Sequence, residues 1–118
     1  MEYHDVANSC RIIHGDSRGV PSIKGGSCGF LMTCPPYYDL EKYNGGECDL
    51  SMLPTYQSFL EEIEKTIVET YRILKPGAIS CWVVGLHRDK DGGLLCMNHD
   101  ISALHKKNGF KMKEEIVS

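Results

Sequence analysis

A chain of 118 residues has room for one domain at most, and its composition is that of an ordinary globular protein, with no apolar run approaching the roughly 18 residues of a membrane span. The net charge of −3 excludes a general attraction to nucleic acid. The opening Met1-Glu2-Tyr3-His4-Asp5 lacks the basic and apolar regions of a secretory signal, so the cytoplasm is the expected location.

In chain order, Ile12-Ile13-His14 is a short β-prone run that ends at Gly15-Asp16, a strand entering a turn. Residues 18–29 are rich in Gly, Ser and Pro and predict a loop. Cys28 to Thr33 (CGFLMT) is compact and apolar, a candidate buried parallel strand, and Pro35-Pro36 must end its ladder. Residues 39–54 are polar and loop-like. Tyr56, Phe59, Leu60, Ile63, Ile67, Tyr71 and Leu74 then recur at three- and four-residue steps, the mark of a helix with one apolar face. Thr55 is its expected N-cap, Glu61 can pair with Lys65, and Lys75-Pro76-Gly77 stops it. Ala78 to Leu86 predicts a second strand buried on both faces, and Asp91-Gly92-Gly93 a turn. His99 to Asn108 is a shorter helix closed by Gly109, and Phe110 to Val117 a last strand. Strands alternating with helices imply an α/β sheet with mostly parallel pairing. About four strands with so few helices would leave an edge, and one face, uncovered.

The six cysteines (10, 28, 34, 48, 81 and 96) contain no Cys-x-x-Cys pair, and the histidines supply no i,i+4 pair. Free thiols in a reducing compartment follow, with no metal and no disulfide framework indicated. The basic cluster His105-Lys106-Lys107 is read as a solvated helix end. Trp82 and Tyr71 fall in apolar periodic segments and are expected in the core. Three motif matches dissolve on inspection. Gly15-Asp16-Ser17-Arg18-Gly19 fits a nucleophile elbow but runs into a loop rather than a helix. His87-Arg88-Asp89 lacks the Asn of a kinase catalytic loop, and Asp89-Lys90-Asp91-Gly92 lacks the distal Glu of a calcium loop.

The informative segment is Thr33-Cys34-Pro35-Pro36-Tyr37-Tyr38, just after the apolar strand. Two prolines lack N–H groups and push the residues before them extended, so the turn presents backbone carbonyls that no ladder claims. Such carbonyls can accept hydrogen bonds from an exocyclic amine, and a neighbouring aromatic ring can stack on a flat base. The place fits too, since open α/β sheets take ligands beyond the carboxyl ends of their strands.

This segment resembles the (Asp/Asn/Ser)-Pro-Pro-(Tyr/Phe) motif of S-adenosylmethionine-dependent amino-methyltransferases, with Cys34 in the first place. GDSR at 15–18 followed by TCPPYYDLEKY at 33–43 is similar to the DNA modification methylases of phages and related elements. The similarity continues through Asp49-Leu50-Ser51, Leu74-Lys75-Pro76-Gly77 and Val83-Val84-Gly85 to Arg88-Asp89-Lys90-Asp91-Gly92. The resemblance implies a partial Rossmann-like α/β methyltransferase fold and S-adenosylmethionine as cofactor. The implied reaction is methyl transfer to the N4 of cytosine or N6 of adenine in DNA. By position, Cys34, Pro35, Pro36 and Tyr37 would form the amine-binding turn, with Tyr37 stacking on an extruded base. Asp16 would lie near the adenine of the cofactor, with Ser17 its weaker neighbour. A thiol is a poorer acceptor than the usual oxygen, so the backbone carbonyls would carry more of the task.

The Gly-rich turn that cradles the methionine part of the cofactor in this family, and the later acidic residue for its ribose, are not found in the 118 residues. The expectation is therefore one partial domain, residues 1–118, carrying the target-binding half, with a partner chain or self-association to complete it. The reading from another class is a non-catalytic binding or scaffold remnant. Within the enzyme class the competitors are RNA and protein-glutamine amino-methyltransferases, which use similar turns.

Overall fold

The structure, a computed structural model, describes residues 2–5, 10–35, 55–85, 87–88 and 92–117. Two short strands, β1 (Glu2–Asp5) and β2 (Cys10–Ile13), form an antiparallel ribbon with Glu2 opposite Ile13. After a loop, β3 (Cys28–Thr33) pairs in parallel with β4 (Leu74–Trp82), and the two are joined through α1 (Tyr56–Ile73). A parallel neighbour requires such a crossover, because a tight hairpin can only reverse the chain. The antiparallel pair β5 (His87–Arg88) and β6 (Leu94–Leu95) leads into α2 (Met97–Lys107). The expected parallel pairing is thus found in β3–β4, while the other pairings among the described residues are antiparallel ribbons.

The long helix starts and stops where its chemistry dictates. Thr55 is extended, and its hydroxyl accepts from the Ser58 N–H at 3.0 Å. At the far end Leu74 turns extended, two residues before the proline, while its N–H still reaches the Thr70 carbonyl. Lys65 pairs with Glu62 at 2.8 Å, not with Glu61 as the spacing suggested. Both glutamates lie about one turn from the lysine, and Glu62 is the one drawn into a larger ion network described below.

Phe59, Ile63 and Ile67 from α1 close on Met97 and Ile101 from α2 to make the core, with Tyr56, Leu60, Trp82, Val84, Leu104 and Phe110 packed around it. Polar contacts hold the two helices in register: the Tyr56 hydroxyl donates to Asp100 at 2.7 Å, and Lys107 pairs with Glu64 at 3.1 Å. Burial and the Asp100 hydrogen bond push the Tyr56 hydroxyl well above the usual phenol range. Tyr71, expected in the core, is instead half exposed and packs edge-on against Phe110.

Side chains alternate along a strand, so the β3–β4 pair has two unlike faces. Trp82 and Ser80 look toward the helices, where Trp82 joins the core. Phe30, Met32 and Ile79 look the other way, and Phe30 and Met32 remain 58% and 66% exposed. The strands expected to be buried on both faces are therefore buried on one. Residues 110–117 form no strand. Gly109, at φ +99°, turns the chain so that Phe110 folds back against His105 and Tyr71, away from any strand edge.

His105 departs from the solvated helix end that its neighbours Lys106 and Lys107 do form. Its ring lies edge-on to Trp82 and to Phe110, with centroids 5.0 Å away in each case. Nδ1 lies 2.8 Å from the Ile101 carbonyl, which can only accept, so Nδ1 carries the proton. Nε2 is left to face the Ser80 hydroxyl at 3.5 Å, and that hydroxyl accepts from the Trp82 indole at 2.7 Å. Burial pushes the imidazole below its ordinary value of 6.5. The unfolded chain then binds the proton more readily, so His105 should erode stability as pH falls below about 6.5 and contribute no pH dependence above it. Urea midpoints at pH 7.5 and 5.5 should differ more for the wild type than for His105→Phe; equal differences would remove His105 as the cause.

Candidate functional site

The Thr33 carbonyl accepts from the Val83 N–H at 2.9 Å as the parallel ladder closes. Cys34 and Pro35 then leave the sheet, since proline has no N–H to extend a ladder. Pro35 is buried and Cys34 exposed. With Thr33 they line one side of a cavity of about 230 Å³, completed by Ser17 from the loop after β2, Ile63 and Thr66 from α1, and Trp82 from the end of β4. This is the carboxyl-end position at which open α/β sheets receive ligands.

Of the residues singled out in the sequence, Ser17, Cys34 and Pro35 converge on this cavity. Asp16 is next to its wall in the chain but does not line it. Pro36 and Tyr37 lie outside the described residues. Sequence reasoning passed over Ile63, Thr66 and Trp82, which look like core positions. The one signal for them was Thr66, a hydroxyl set among the apolar steps of α1.

Asp16 is held by its near neighbour Arg18. The Arg18 backbone N–H donates to Oδ1 at 2.9 Å, and Nε donates to both carboxylate oxygens at 3.0 Å. The other arm of the guanidinium, Nη1, donates to Glu62 on α1 at 2.8 Å. Glu62 sits between this arginine and Lys65, and Lys65 first, then Arg18, hold its carboxyl below the ordinary range. Asp16, and secondarily Glu62, push the arginine still higher than usual. Further along, Glu69 accepts the Val20 N–H and pairs with Arg72. Arg72 in turn donates to the carbonyls of Ile23 and Val20 at 3.0 Å each. Its own carbonyl takes the Gly26 N–H at 2.8 Å. A Gly- and Ser-rich loop is thereby fixed along α1 by charge-assisted hydrogen bonds.

Trp82 also lines the cavity, with its indole N–H committed to Ser80. Ser17, Thr33 and Thr66 bring hydroxyls that can donate or accept. A flat heterocycle with polar edges suits such walls. The volume of about 230 Å³ is below the roughly 300–1,000 Å³ of pockets that take whole drug-sized ligands. Among the described residues no group of three or more His, Cys, Asp and Glu side chains is placed to hold a metal ion. Cys10, Cys28, Cys34, Cys81 and Cys96 are free thiols. No helix of the described residues is long and apolar enough to cross a membrane.

No protein-family model matches the chain, and no curated protein matches it. Solved structures do. A protein of Thermus thermophilus assigned as a DNA modification methylase superposes with a TM-score of 0.66 and 29% identity, over 82% of this chain and 39% of that one. The crystal structure of the same protein complexed with S-adenosyl-L-methionine gives 0.62 and 30% identity, over 82% and 40%. The chain spans about two fifths of the length of that protein. Its parallel pair, its two helices and this likeness make the chain part of an α/β methyltransferase fold, similar to that of a DNA modification methylase.

Proposed function

We propose that this chain forms the target-side part of an S-adenosylmethionine-dependent DNA methyltransferase that methylates an exocyclic amino nitrogen of an extruded base. The observation that carries the reading is the convergence of Ser17, Cys34 and Pro35 on one cavity at the carboxyl ends of β3 and β4. The fold around them is shared with a methylase crystallised with S-adenosyl-L-methionine.

The cofactor supplies a methyl group already activated on a sulfonium, so the protein's work is orientation. Asp16 and Ser17 hold the adenine end. The carbonyls of the Cys34-Pro35-Pro36-Tyr37 turn accept the hydrogens of the target amine and aim its nitrogen, while Tyr37 stacks on the base. In this reading the chain acts on DNA in the cytoplasm.

The first test is calorimetric titration of S-adenosylmethionine into the chain. Saturable binding is expected, weakened at least about tenfold in Asp16→Ala, the loss typical of a hydrogen bond to a charged group. No binding by a chain that circular dichroism finds folded would sink the cofactor role and favour a scaffold remnant. The small cavity gives that second reading its support.

The open face of Phe30, Met32 and Ile79 supports completion of the fold by a partner chain or a second copy. Contiguous apolar surface is rarely left in water. Sedimentation velocity should show association that weakens in Met32→Glu; a monodisperse monomer at high concentration would count against self-association.

A further inference from the structure

We infer that Thr66 is a ligand-contacting residue of the cavity, its hydroxyl meeting the edge of an uncharged amino-heterocycle. This rests on the reading of the cavity as the ligand site. Thr66 lines the cavity from α1 and is half-buried. A serine or threonine within a helix can return its hydroxyl to the carbonyl four residues back. Thr70 does so to Thr66 at 2.8 Å, and Ser102 does so to Asn98 at 2.8 Å. The Thr66 hydroxyl instead has no hydrogen-bond partner among the described residues, although its backbone carbonyl takes the Thr70 hydroxyl. The same holds for the hydroxyls of Thr33, which ends β3, and Ser17, in the loop, the other two that belong to the lining. Strand, loop and helix thus each bring to one cavity a hydroxyl that the fold itself does not use.

Hydroxyls beside apolar walls favour a ligand that pairs with them, because drying them without a partner is costly. Among the described residues no acidic or basic side chain lines the cavity, so a charged group would give up its water there without a counter-charge. The fitting ligand edge is neutral and sets a donor beside an acceptor, which a rotating hydroxyl can meet either way. An amino group next to a ring nitrogen is such an edge. It occurs in the adenine of the cofactor and in a target adenine or cytosine, and the experiment separates these sources. S-adenosylhomocysteine, and a short single-stranded DNA containing adenine and cytosine at fixed salt, are titrated calorimetrically into the wild-type chain, Thr66→Val and Thr66→Ser. Valine keeps the branched shape and loses the hydroxyl; serine keeps the hydroxyl. One probe should weaken about three- to tenfold in Thr66→Val, the worth of a neutral hydrogen bond, and recover in Thr66→Ser. Loss with S-adenosylhomocysteine identifies the cofactor's adenine, and loss with DNA the target base.

The thermal midpoint of Thr66→Val should match or exceed that of the wild type, since the substitution breaks no hydrogen bond of the free protein. A lower midpoint, with weakened binding that serine does not rescue, would make Thr66 a structural support and overturn the inference. Unchanged affinity in Thr66→Val for every probe that the wild type binds would overturn it too, while leaving the ligand site standing. If the wild type binds neither probe, the reading of the cavity as a ligand site fails and takes the inference with it.

Discussion

Phe59→Ala is expected to cost about 3–5 kcal/mol, as truncations of fully buried aromatics do. Phe59 is fully buried at the centre of the cluster with Ile63, Ile67, Met97 and Ile101, and its ring stacks on Tyr56 at 6.2 Å. Its partners lie further along the same helix or across on α2, so no neighbour can move in without shifting a whole helix. Domains of this size are stable by roughly 5–15 kcal/mol, so the variant would lose a large share of the total. At about 4 °C per kcal/mol the melting temperature should drop by roughly 12–20 °C. Phe30→Ala is the control. It removes the same ring from the open sheet face, where 58% is already in water, and should change the midpoint little. Equal losses at the two positions would mean that the core is not where the packing places it.

Gly109→Ala is expected to cost about 2–5 kcal/mol, from backbone strain of about 1–2 and overpacking of about 1–3. Gly109 follows α2 with φ at +99°, a conformation that side chains rarely adopt. A β-carbon there would sit 2.9 Å from Cε2 and 3.1 Å from Cζ of Tyr71. The tyrosine ring also packs edge-on against Phe110, with centroids 5.3 Å apart. Chemical denaturation of Gly109→Ala, Tyr71→Ala and the double variant separates the two terms. Removing the ring should recover the contact but not the strain, so the double variant should be more stable than the sum of the single losses. Strict additivity would show that the ring gives way freely.

Local punctuation made the main elements legible. Thr55 and Pro76 bracket α1, CGFLMT stands out between glycines and prolines, and Gly109 closes α2, because each acts on backbone within a few residues. What escaped was tertiary. Glu2–Asp5 forms β1 with no apolar alternation to announce it, since a polar ribbon edge leaves no such pattern. Ala78 to Leu86 was expected to be buried because apolar runs signal burial; the run is apolar on both faces, yet only the Trp82 side meets helices. His105 looked like a third basic residue at a helix end, and only the arrival of Trp82 and Phe110 turns it inward. At the cavity, Cys34 and Pro35 stood out because two prolines after an apolar strand mark a strand exit, while Ser17 was singled out only through the family resemblance. Thr66 and Trp82 were hidden because cavity walls made by helix and strand interiors carry the same periodicity as core.

The loop beside the cavity is fastened to α1 by Arg18, Glu62, Glu69 and Arg72, while the helices are fastened to each other chiefly by the apolar core, with the Tyr56–Asp100 and Lys107–Glu64 contacts at its margin. Those two kinds of attachment answer to different reagents. Salt weakens the first and spares the second; cooling does the reverse. The protein accordingly has two tiers of rigidity, and the upper tier can let go without the lower one noticing. A ligand seated against Ser17 would borrow its grip from the ionic tier. Its residence would then track the salt around the protein more closely than the melting temperature does.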